Sequence, residues 1–154
     1  MYINFNSSKL FCDWLETIYR CISVDCNQQF EISIKIVKNI KSLNFKYRGI
    51  KDSTDVLSFN TSDPENPSYL GDIILSAKDI EKNAHSFNVE FSDELIRCIV
   101  HGTLHIMGFD HIGHLEKDFQ LSQINEEMFL IQERLLKEII YGGNLPKIQI
   151  SDLQ

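Results

Sequence analysis

Leu10, Phe11, Trp14, Leu15, Ile18 and Ile22 recur three and four residues apart, which predicts an amphipathic helix opening on Ser7 or Ser8 as its cap. Before it, Tyr2, Ile3 and Phe5 form a short strand pattern. Ile32, Ile34 and Ile36 alternate with polar positions, as a half-buried strand does. A short helix is expected over 38–46, then a strand from Thr54 to Asn60 built on Val56, Leu57 and Phe59. Asp63-Pro64-Glu65-Asn66-Pro67-Ser68 concentrates turn formers and reads as a loop. Leu70 to Ser76 is a further strand, and Ser76 with Asp79 three residues on caps the next helix.

That helix covers 77–88, with Ala77, Ile80, Ala84 and Phe87 on its apolar face and His85 on its polar one. The next, about 93–107, is apolar nearly all round (Leu95, Ile96, Cys98, Ile99, Val100, Leu104, Ile106, Met107), which predicts a core helix. The last runs over 115–140 on a stripe of Leu121, Ile124, Met128, Ile131 and Leu135. Gly142-Gly143 ends it, leaving 1–143 as a single domain and 144–154 as a C-terminal tail. Strands and helices mix irregularly, so the expected class is α+β, a small mixed four-stranded sheet packed with helices in two or three layers.

The 154 residues suffice for one domain with a real core. No apolar run reaches the roughly 18–20 residues that span a membrane. The first residues show no basic and apolar leader pattern, so the expected location is the cytoplasm. Cys12, Cys21, Cys26 and Cys98 form no C-x-x-C pair and read as reduced, structural thiols. The net charge of −7 argues against indiscriminate nucleic-acid binding. Yet Lys35, Lys38, Lys41, Lys46, Arg48 and Lys51 fall in one stretch free of acidic residues. Such a stretch can meet phosphates, or simply form a solvated face.

Candidate chemistry concentrates in His101-Gly102-Thr103-Leu104-His105-Ile106-Met107-Gly108-Phe109-Asp110-His111. Residues four apart share a helix face, so His101 and His105 can bind one ion together. Gly108 suits the helix end, because glycine takes the left-handed conformation without steric cost. The chain can then turn back and offer His111. Three protein ligands with a fourth position open describe a catalytic zinc site. The spacing is that of the metzincin proteases, H-E-x-x-H-x-x-G-x-x-H, but Gly102 stands where they carry the glutamate base. Glycine inside a helix costs about 1 kcal/mol against alanine, which close approach of a strand or of substrate would explain.

Three segments carry a family resemblance. They are Asn44-Phe45-Lys46-Tyr47-Arg48-Gly49 with Asp52-Ser53-Thr54-Asp55-Val56-Leu57-Ser58-Phe59, then Leu70-Gly71-Asp72-Ile73-Ile74-Leu75-Ser76, then the histidine segment. In order and spacing the chain resembles the bacterial YbeY proteins, zinc-dependent endoribonucleases of ribosomal RNA maturation. Ser53 and Asn60 stand where the family favours proline. The resemblance implies an α+β fold with about four strands. It also implies one zinc per chain on His101, His105 and His111, with Arg48 lining the cleft as a catalytic residue. The implied substrate is single-stranded ribosomal RNA, cut in late processing at the 16S 3′ end and in ribosome quality control. The ribosome or its proteins are the implied partners.

Arg48 is the candidate fork for phosphoryl charge; a salt bridge with Asp52 or Asp55 is the alternative. Asp110 next to His111, Asp55 and Asp72 are candidates for orienting an imidazole, or turn and strand-edge residues. His114 reads as an exposed helix cap or a proton relay, and no general base is identified. Beside the endoribonuclease stand two other readings: a metal-dependent peptidase or other zinc hydrolase on the same histidines, and a non-catalytic RNA- or protein-binding domain with structural zinc.

Overall fold

A computed structural model describes residues 2–3, 8–109, 119–142 and 144–153, with the backbone alone for 2–3 and 119–126. Strand β1 is Tyr2–Ile3 and helix α1 is Lys9–Asp25. Ser8 caps α1, its hydroxyl accepting from the Phe11 amide at 3.2 Å. The face predicted from spacing is buried at Phe11, Trp14, Leu15, Ile18 and Ile22, whereas Leu10 falls on the exposed side.

Strand β2 (Glu31–Val37), helix α2 (Lys41–Arg48), strand β3 (Val56–Asn60) and strand β4 (Tyr69–Ser76) follow. Among the described residues they form a four-stranded sheet in the order β1-β2-β4-β3. The first three of these pair in parallel and β3 runs antiparallel to β4 on the outer edge. Ile32, Ile34, Ile73 and Leu75 are buried on one sheet face, which carries the core, whereas Leu57, paired with Ile74, is buried on the other. The mixed α+β class expected from the pattern is the one observed.

Helix α2 starts later than the spacing predicts. The Lys38 carbonyl accepts from the Lys78 amide at 3.3 Å and from the Ser76 hydroxyl at 3.4 Å, which holds the chain beside β4 before the helix begins. The helix therefore ends on Arg48, with Gly49 left-handed behind it.

Helix α3 (Ala77–Phe87) is capped by Ser76, whose hydroxyl accepts from the Asp79 amide. Ser53 donates to Asp79 Oδ2 at 2.6 Å, so the serine that departs from the family pattern ties the 53–55 turn to this cap. Phe87, expected on the buried face, is exposed, and His85 is exposed as predicted.

Helix α4 (Phe91–Ile106) crosses β3 and β4 and buries Leu95, Ile96, Cys98, Ile99, Val100, Leu104 and Ile106. Each fully buried Leu or Ile contributes about 1.5–3 kcal/mol. That far exceeds the cost of Gly102, so packing rather than propensity holds this helix.

Helix α5 (Phe119–Lys137) lies against α4 and α1 and runs into a π-helical turn, Glu138–Gly142. Met128 and Leu135 of the expected stripe are buried; Leu121 and Ile124 lie outside the residues whose side chains are described. The segment read as a tail packs back on the domain. Trp14 Nε1 donates to the Pro146 carbonyl at 3.2 Å, Ser8 bonds to the Asp152 carbonyl, and Ile148 and Leu153 are buried. Its apolar residues are too few and too close to Gly142-Gly143 to show a helical or strand period, so the sequence concealed this docking. Among the described residues no helix is long and apolar enough to cross a membrane.

Candidate active site

A cleft of about 820 Å³ opens between the edge strand β3 and helix α4. Val56, Leu57, Ser58 and Asn60 form one wall. Glu94, Arg97, Cys98, His101 and His105 form the other, spaced along one face of α4. Arg48 from the end of α2, Asn83 and Phe87 from α3, and Gln132 from α5 close the remaining sides. Asn60 donates to the Ile106 carbonyl at 3.1 Å and ties the end of β3 to the end of α4.

His101 and His105 come together as the spacing predicts. Their Nε2 atoms face each other at 3.0 Å, with the rings at 81°. His101 Nδ1 lies 2.9 Å from Gln132 Oε1, and the tautomer in which Nδ1–H donates to that oxygen leaves the lone pair on Nε2. A tetrahedral zinc with N–metal bonds of 2.0–2.1 Å sets its ligand nitrogens about 3.3 Å apart. The observed separation is a few tenths of an ångström from that, and imidazole nitrogens are ordinary zinc donors, so this pair fits zinc. His111, Asp110 and His114 lie outside the described residues.

Gly102 is explained by packing. A Cβ there would stand 3.3 Å from the Ile73 and Val56 side chains, so the bare position lets α4 sit close on β3 and β4 without displacing them. Gly108 takes φ +103°, and the Phe109 amide closes the helix on the Leu104 carbonyl at 3.0 Å.

Arg48 is exposed at the cleft mouth and forms neither of the salt bridges considered from the sequence, with Asp52 or Asp55. Asp72 is engaged elsewhere: Thr61 and Tyr69 donate to its two oxygens at 2.7 Å each.

Asp55 does reach the cleft, in a group the sequence reading missed. Asp55, Glu94 and Cys98 bring donor atoms within 4.8 Å of one another. Cys98 donates to Asp55 Oδ2 at 3.7 Å, and Asn83 donates to the same oxygen at 3.1 Å. Glu94, only 3 % exposed, meets Arg97 at 3.6 Å. Burial raises the Glu94 carboxyl above the usual range; Arg97 opposes this and Asp55 adds to it. Burial, followed by the charges of Asp55 and Glu94, pushes the Cys98 thiol well up, so it stays protonated. All four cysteines are free thiols. The signal for Glu94 was an acid seven residues before His101 on an apolar helix. Gln132 was signalled by a polar residue between Met128 and Leu135 in the stripe of α5.

The family model described as Endoribonuclease YbeY matches residues 2–139. A Borrelia hermsii protein named Endoribonuclease YbeY is 40% identical over 118 residues, covering 73% of this chain and 75% of that one. One of the same name from Borreliella burgdorferi is 34% identical over 148 residues, covering 88% and 89%. A third, from Shouchella clausii, is 34% identical over 133 residues, covering 77% of each chain. The solution structure of a Thermotoga maritima protein superposes with a TM-score of 0.60 at 28% identity, over 92% of this chain and 91% of that one.

Proposed function

Because this chain belongs to the YbeY family of endoribonucleases, its chemistry is cleavage of RNA, and we propose that it acts through a zinc ion held by His101, His105 and His111. The observation that supports this most is the facing pair of imidazole nitrogens, 3.0 Å apart, inside the cleft. Zinc held there supplies Lewis-acid polarisation of a phosphoryl group. The chain's own groups do the rest. Gln132 keeps the proton of His101 on Nδ1, so Nε2 is ready as a donor atom. Arg48 offers a planar guanidinium to phosphoryl oxygens as charge builds on them. Edge strand β3 lines the cleft beside them and can guide an extended chain.

The substrate is single-stranded ribosomal RNA in late processing at the 16S 3′ end and in ribosome quality control. The work takes place in the cytoplasm beside the ribosome or its proteins. The peptidase reading is not favoured. The position that would carry its glutamate base is glycine, and a Cβ there would meet Val56 and Ile73 at a tight 3.3 Å.

The test is metal content with two variants. Protein purified without a histidine tag carries about one zinc per chain and cleaves RNA but not casein. His105→Ala loses the zinc and keeps its fold by circular dichroism; stoichiometric zinc in that variant discards the ligand set. A fold lost together with the metal would favour structural zinc. Arg48→Glu keeps the zinc and loses cleavage, and undiminished cleavage removes Arg48 from the mechanism.

A further inference from the structure

Helix α2 carries a second surface with the chemistry of a nucleic-acid site. A groove of about 560 Å³ outside the cleft is lined by Asn39, Lys41, Ser42, Phe45 and Lys51. Phe45 is 52% exposed at its wall, an apolar ring left in solvent beside two ammonium groups. Lys41, Phe45 and Arg48 fall at i, i+4 and i+7, so one row of side chains leads from this groove to the cleft mouth. The length of that row is about 10 Å at 1.5 Å per residue. The surrounding stretch from Lys35 to Lys51 holds six basic residues and no acidic one, in a chain of net charge −7. Tyr47 lies on another face of the helix, its ring against Phe59, and is not part of this groove.

We propose that this groove is an RNA exosite, a place where single-stranded RNA beyond the cleaved bond lies before it enters the cleft. Lys41 and Lys51 take phosphates, and Phe45 stacks a base. The chemistry favours RNA over other occupants. Bases stack on exposed aromatic rings without regard to sequence, while ammonium groups follow the backbone. The acidic remainder of the protein repels RNA, which makes a local basic track the route to the site. This proposal rests on the endoribonuclease reading and assigns that same activity a longer footprint.

The test separates long from short RNA. Binding of a labelled single-stranded RNA of about 20 nucleotides is followed by fluorescence anisotropy in chelator, across a salt series. For Lys41→Gln/Lys51→Gln, affinity falls and the slope of log K against log salt flattens by about 1.4, as loss of two phosphate contacts requires. For Phe45→Ala, affinity falls about fivefold or more at every salt concentration, and Phe45→Trp restores it. With zinc present, both variants cleave a substrate of about four nucleotides at the unaltered rate, because it spans the cleft alone. Long-RNA binding equal to that of the unaltered protein in both variants overturns the exosite and leaves the cleavage reading intact. Weakened binding of an acidic protein partner, with RNA binding unchanged, overturns it in favour of a protein-docking surface. An unaltered protein that neither binds nor cleaves RNA overturns both.

Discussion

Gln132 and His101, thirty-one residues apart, meet at 2.9 Å between Oε1 and Nδ1. That contact favours the tautomer with the proton on Nδ1 in the imidazole whose other nitrogen faces His105. Groups that orient a metal-binding imidazole this way typically account for 10- to 100-fold in metal affinity. Gln132→Leu is therefore expected to weaken zinc binding by about that factor while the fold persists, since leucine fits the apolar surroundings of Met128 and Leu136. Gln132→Glu, which keeps an acceptor, is expected to retain it. Competition with a chromogenic chelator reads both, and unchanged affinity in the leucine variant would remove Gln132 from the site.

Gly102→Glu places a long side chain where a Cβ alone already stands 3.3 Å from Val56 and Ile73. Overpacking of this kind costs about 1–3 kcal/mol or more. The expected outcome is a lower melting temperature and no casein hydrolysis. A variant as stable as the parent, or one that gains peptidase activity, contradicts the packing account of this glycine.

Glu94 sets a pH dependence. Its carboxyl is raised by burial against the partial relief of Arg97. The unfolded chain ionises it in the ordinary range, near pH 4. The folded chain resists until the raised value is passed, so stability present below that range is lost as pH rises through the folded pKa. Glu94→Gln should melt higher than the parent near pH 7, with the gap closing toward about pH 3.5. A variant that melts lower at neutral pH would show that the contact with Arg97 outweighs burial.

Deleting residues 144–154 removes the acceptor of Trp14, the single tryptophan of the chain, and uncovers the pockets of Ile148 and Leu153. At about 1.5–3 kcal/mol per fully buried side chain, the loss is several kcal/mol. A lower urea midpoint and red-shifted tryptophan emission are expected. An unchanged midpoint would return this segment to the status of a loose tail.

The element pattern was readable from the chain because a helix or strand prints its own period on neighbouring residues. The buried face of α1, the alternation of β2, the Ser76 cap and the i, i+4 histidine pair all depend on contacts within a few residues. The family motifs pointed to Arg48 for the same reason, being short and contiguous. What the chain alone did not reveal joins distant segments. Gln132 on a mostly apolar stripe, Glu94 in the first turn of a core helix, and Asp55 in a turn look ordinary until α5, α4 and β3 are set side by side. The start of α2 moved because β4 holds Lys38, and residues 144–153 docked because Trp14 and Ser8 offer donors to them. A local period says which face is buried, but which polar group on that face meets a partner depends on the packing of elements far apart in sequence. Here that packing turned one glutamine, one glutamate and one aspartate toward a cleft.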